Sequence, residues 1–154
     1  MIDQTVREAI STTVATSTAA QKATFLRTAL RWPALAAQAT GTSVTTVRRW
    51  AQGVRQPRAD NASRLGDAFA AAYIVAAFFE GDHVPSAYML SCSPWLGEQT
   101  PARLVAIGEG ARVVAATYDF AEYCQTGADP IRQQPQFPDL LDRTHLLGDE
   151  KGLD

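Results

Sequence analysis

Apolar side chains recur along this chain at intervals of three and four, and no run alternates apolar with polar residues, so the pattern predicts helices throughout and an all-α fold. In residues 1–17, Val6, Ile10 and Val14 stand four apart among Ser, Thr and Ala, which suits either a loose amphipathic helix or a mobile arm. Thr18 followed by Gln21 is a capping-box pair, and it opens a helix over 19–31 with Phe25, Leu26, Ala29 and Leu30 inward. Pro33 fits the first turn of the next helix and Gly41 the left-handed residue that ends it. Ser43 caps a helix through Gln52, and Gly53 stops it. Beyond a proline-containing loop at 54–60, Asp60 or Asn61 caps a long helix ending near Gly81. Its apolar run, 69–79, is about half the roughly 20 residues of a membrane span, which marks a buried core helix.

The remaining pattern gives a weaker helix over 83–92, a loop with a buried Trp95–Leu96 pair, and a short helix over 101–107. A glycine break then precedes a helix with Val113, Ala116, Phe120 and Cys124 on one stripe. From Gln125 the composition shifts to Pro, Gly, Gln and Asp, leaving a tail with at most one helical turn. The chain divides into an arm (1–17), a helix-turn-helix unit (18–64), a second helical unit (65–128) packed on or linked to it, and an acidic tail (129–154).

Two helices of eight or nine residues joined at Gly41 form the skeleton of a helix-turn-helix. Ala36 and Ala37 on the first helix and Val47 and Trp50 on the second fall where the two must touch. With Val47 and Trp50 inward, the 100° step per residue turns Val44, Thr45, Arg48, Arg49 and Gln52 outward. Arginine chelates guanine, glutamine chelates adenine, and Val or Thr contacts a thymine methyl, so this face matches a DNA major groove. Ser43 and the first helical amides suit a phosphate, and Arg55, Arg58 and Arg64 lie where a backbone would pass. Double-stranded DNA is the expected partner.

Charge strengthens that expectation. The net charge of the 154 residues is −2, yet residues 1–64 hold nine Lys/Arg against three Asp/Glu, a net of +6, and 65–154 hold five against thirteen, a net of −8. A basic front half suits a polyanion. The first residues carry acids where a secretory signal would have a basic, then apolar, segment, and two cysteines make no disulfide framework, so a cytoplasmic protein without a membrane span is expected. His83, His145, Cys92 and Cys124 have no metal-ligand spacing, Cys92 reads as a small buried thiol, and the glycines at 108 and 110 follow no strand. No enzyme, metal or cofactor is expected.

The segment LGEQTPARLVAIGEGARVVAATYDFAEYCQTG resembles the C-terminal domain of MbcA/ParS/Xre-type antitoxins, through Trp95, Leu96, Gly97, Pro101, Leu104, Gly108, Gly110 and Val114. That family places an Xre-like helix-turn-helix upstream, as LAAQATGTSVTTVRRWAQG does here, and the resemblance covers roughly 20–128. It implies a type II antitoxin, a homodimer that represses its own operon and neutralises a RES-type toxin. The alternative is a stand-alone helix-turn-helix regulator. The chain departs from the family in lacking the usual Pro-Asn after the tryptophan region and in extending about 26 residues past the domain. That tail carries six acids and three bases, with Phe137, Leu140, Leu141, Leu146 and Leu147 as anchors for a basic surface of the toxin. The apolar helices around 69–79 and 113–120 are the expected dimer surface.

Overall fold

A computed structural model of the protein describes residues 2–125, and among these every regular element is helical: α1 (Gln4–Thr16), α2 (Ala19–Ala29), α3 (Pro33–Thr40), α4 (Val44–Ala51), α5 (Ala59–Phe78), α6 (Val84–Leu90), α7 (Pro101–Ala106) and α8 (Gly110–Gln125). Local chemistry sets many of the boundaries. Thr18 and Gln21 form the reciprocal capping box that starts α2, satisfying two of the N–H groups that a helix start leaves without partners. Pro33 opens α3, and Gly41 at φ 67° closes it in the left-handed region. Ser93 and Gln99 make one isolated antiparallel bridge around the short 3-10 turn Pro94–Leu96.

Helix α5 is the spine. It packs α2 on one side and α8 on another, and α3, α6, α7 and α1 also touch it. One apolar cluster therefore draws Leu26 and Leu30 from α2 and its cap, Trp50 from α4, Leu65 and Val75 from α5, and Val113 and Phe120 from α8. Each such aliphatic or aromatic side chain contributes about 1.5–3 kcal/mol on full burial. The expected division after residue 64 falls inside α5, and side chains from both sides of it share this core.

Several expectations are corrected by the packing. Neither Asp60 nor Asn61 caps α5; Arg58 occupies the cap position without a side-chain hydrogen bond, because the chain is extended at Arg58, ψ 167°, and turns helical at Ala59. Helix α2 stops at Ala29, with Arg31 in the left-handed conformation at φ 64°. Leu96 is fully buried but Trp95 only half so, its ring meeting Phe120 and Tyr123 edge-on at 6.0 and 5.6 Å. Cys92 is exposed, whereas Cys124 is buried on the α8 stripe.

The first segment is a docked helix. Ile2, Ile10 and Val14 lie on a second, smaller cluster with Ile74, Tyr118 and Ala121. Arg7 holds it there: its guanidinium pairs with Glu122 at 2.6 Å and lies 4.3 Å from the centre of the Tyr118 ring. The Ile2 N–H also donates to Glu122 at 3.1 Å.

The apolar side chains expected to pair two copies are used within one chain. Phe69, Ile74 and Val75 of α5 and Val113, Ala116 and Phe120 of α8 are all buried, and α5 and α8 pack against each other.

Candidate nucleic-acid interface

The turn between α3 and α4 is built by backbone geometry. At Gly41 the chain enters the left-handed region, and the Thr42 N–H donates back to the Ala37 carbonyl at 3.0 Å, closing the end of α3. Buried Thr40 reinforces it through a 2.8 Å hydrogen bond from its hydroxyl to the Ala36 carbonyl. Ser43 then caps α4, its hydroxyl accepting from the Thr46 N–H at 3.1 Å and sitting 2.9 Å from the Thr46 hydroxyl. The Ser43 hydroxyl is thus already committed within the turn. At the far end Gly53, at φ 74°, lets the Val54 N–H reach the Arg49 carbonyl at 3.1 Å.

Two faces of α4 separate cleanly. Val47 and Trp50 are buried against α2 and α3, where Ala36 and Ala37 are also buried and small enough to admit them. Val44, Thr45, Arg48, Arg49 and Gln52 are all exposed, so five side chains of the expected reading face share one solvent surface. Helix α4 carries no acid, and Arg48, Arg49, Arg55 and Arg58 make no ion pair or side-chain hydrogen bond among the described residues. Arg48 and Arg49 lie in the last turn, where the carbonyl end of the helix favours cations.

Arg64, expected beside a DNA backbone, is partly committed within the fold. It is half-buried and lies along the Gly41 turn: a Cβ at Gly41 would stand 3.5 Å from the arginine Cδ and 3.7 Å from its Nε. Its Nη1 donates to the Asn61 side-chain oxygen at 3.3 Å, while its buried Nε has no acceptor among the described residues. The same hypothetical Cβ would lie 3.5 Å from the Ala106 carbonyl, so the end of α7 also supports the turn.

Two features escape a reading of the pattern alone. Val54 is 72% exposed beside the end of α4, and the isolated apolar residue in a polar loop was its only sequence signal. Behind α4, Thr46, Trp50, Arg55, Gln56, Pro57, Arg58 and Asn61 line a cleft of about 250 Å³. A larger cleft of about 530 Å³ lies away from the reading face, between α2, α5 and α6, with Phe25, Arg31, Phe79, Asp82 and Pro85 in its wall.

Elsewhere, ionisable groups serve packing. Burial raises the Asp67 carboxyl above its ordinary range, with the Lys22 charge opposing. The Tyr88 hydroxyl is pushed up by burial and stands 2.8 Å from the Thr117 hydroxyl, which itself donates to the Val113 carbonyl at 2.7 Å. Hydrogen bonds from Arg7, then from the Ile2 N–H, hold Glu122 below the usual carboxylate range. Among the described residues no group of three or more His, Cys, Asp and Glu could hold a metal, and no helix is long and apolar enough to cross a membrane. Phe137, Leu140, Leu141, Leu146 and Leu147, and with them His145, lie outside the described residues. Comparison with family models, curated proteins and solved structures finds no match to this chain.

Proposed function

We propose that this protein binds duplex DNA in a sequence-selective manner, with α4 in the major groove. The observation that carries the reading is the exposed face Val44, Thr45, Arg48, Arg49 and Gln52, held rigid by the buried pair Val47 and Trp50. A major groove about 12 Å wide admits one α-helix, and those side-chain types supply donors for guanine and adenine and apolar contact for thymine. Arg55 and Arg58 beyond the helix, without an ion pair among the described residues, add phosphate contacts that orient the head without reading sequence. The charge of residues 1–64 favours the same polyanion.

The resemblance of the segment from Trp95 to Val114 extends the proposal to an antitoxin that represses its own operon and neutralises a RES-type toxin as a homodimer. Tail residues Phe137, Leu140, Leu141, Leu146 and Leu147 would then contact the toxin, and no cofactor takes part.

Selection from a pool of random duplexes tests the first step: one enriched motif is expected, and recovery without any motif refutes it. For the second, cells expressing the toxin encoded next to this chain should be rescued by the full chain and not by a chain ending at Ala128. A chain that selects a motif and rescues nothing is a stand-alone regulator.

A further inference from the structure

We propose that the cleft between α4 and the start of α5 is a seat for a single phosphate group. Three independent features converge on it. The first is the indole of Trp50, 1% exposed and one of the side chains that line the cleft; its N–H is buried and has no acceptor among the described residues. A buried donor left without a partner costs about 1–3 kcal/mol, and such donors are rare unless a ligand or water completes them.

The second is the start of α5. This 20-residue helix has no side-chain cap, so the N–H groups of residues 59–61 meet no side chain of their own helix start and carry the positive end of its dipole; Arg58 and Asn61 of this helix start line the cleft. The third is charge: Arg55 and Arg58 line the cleft, and neither has a carboxylate partner among the described residues. Asp60, the acid in the first turn of α5, is exposed and lies outside the cleft lining.

The assembled chemistry is one of donors: an indole N–H, two guanidinium groups and helix N–H groups. That set matches an oxyanion with several acceptor oxygens and two negative charges better than it matches a carboxylate or a neutral amide. At about 250 Å³ the space exceeds several times the roughly 30 Å³ share of one water, so a phosphate fits with attendant water. The phosphate could belong to a DNA backbone, in which case the seat rests on the proposed DNA reading and fixes the register of α4, or it could be a free phosphate or phosphomonoester.

The test uses the full, nitrogen-15-labelled chain. Inorganic phosphate is titrated at constant ionic strength while the Trp50 indole signal and the amide signals of Asp60 and Asn61 are followed. A saturable shift of all three is expected, with about tenfold weaker affinity in Arg58→Ala, the loss associated with one charge-assisted bond. Arg55→Ala provides a second variant that keeps the fold, since Arg55 is exposed and makes no ion pair or side-chain hydrogen bond among the described residues. It removes one guanidinium from the cleft lining and should also weaken phosphate while melting at an unchanged temperature.

The selected duplex is then added in place of phosphate, intact or with a methylphosphonate replacing one backbone phosphate at a time. Loss of the Trp50 shift at one such position assigns the seat to the DNA backbone. A shift with phosphate but none with a bound duplex supports the seat and assigns it to a free phosphate. A shift with phosphate and no duplex binding at all leaves the seat standing and overturns the DNA reading. Duplex binding with a motif, while neither phosphate nor duplex moves the Trp50 indole, overturns the seat and leaves the DNA reading standing.

Discussion

Two helical glycines should respond to the same substitution with opposite signs. Gly66 lies within α5, and a Cβ there would meet only the Lys22 ammonium, at an ordinary 3.8 Å and at the end of a flexible side chain. Gly66→Ala therefore removes the backbone freedom of glycine in the unfolded chain at no steric cost, and should stabilise by about 0.5–1 kcal/mol. Gly110 starts α8 directly over Asp67 of α5, and a Cβ there would overlap the Asp67 carboxylate and also its Cβ, which cannot swing away. Gly110→Ala forces α5 and α8 apart where Gly110 faces Asp67, and overpacking of this kind costs about 1–3 kcal/mol.

Urea unfolding followed by helical circular dichroism reads both, and for a chain of this size 1 kcal/mol corresponds to a melting shift of about 2–4 °C. Asp67→Gly made with Gly110→Ala removes the overlapping atoms, so the pair should show a favourable coupling of about 0.5–3 kcal/mol relative to the sum of the single changes. Equal signs for Gly66→Ala and Gly110→Ala, or no coupling at Asp67, would refute the close approach of α5 and α8.

Arg48→Ala or Arg49→Ala should weaken the selected duplex by about 1–3 kcal/mol and relax selection at one position, with stability changed by less than about 0.5 kcal/mol because neither side chain has an ion-pair partner among the described residues; an anisotropy titration checks the first and urea unfolding the second. Asp67→Asn should stabilise at neutral pH and lose that advantage in acid: a carboxyl raised by burial favours the protonated fold, so its contribution is present below the ordinary carboxylate range and is lost as pH rises through the higher folded value. Glu122 behaves oppositely: its lowered folded value makes the α1 attachment present above the ordinary range and lost as pH falls through the lower one, and Glu122→Gln should abolish that dependence in hydrogen exchange of α1 amides.

Much of the fold was legible because the chain marks its helix ends with residues whose backbone or side-chain chemistry leaves few options. Pro33 and Gly41 delimit α3 to the residue, and Ser43 and the Thr18–Gln21 pair start their helices as their side chains require. The stripe Val113, Ala116, Phe120 and Cys124 is buried as its spacing requires. A stripe shows that a face is buried but not against what, and so the apolar sides of α5 and α8, expected to meet a second copy, meet each other. Arg64 has the composition of a phosphate contact, and only the folding of α5 across the Gly41 turn draws it inward. Trp50 was legible as core, whereas the lack of an acceptor for its N–H among the described residues is set by tertiary packing that the helical period does not encode.

The central claim is that α4 reads base edges in the major groove. Replacing a guanine of the selected duplex by 7-deazaguanine removes the N7 acceptor from that groove, whereas inosine removes only the minor-groove amino group. Affinity of the full chain, titrated at fixed salt, should fall about 5- to 150-fold for 7-deazaguanine at one guanine, with no further fall in the matching Arg48→Ala or Arg49→Ala chain, and should be unchanged by inosine. Loss of affinity with inosine, and none with 7-deazaguanine at any position, would contradict it.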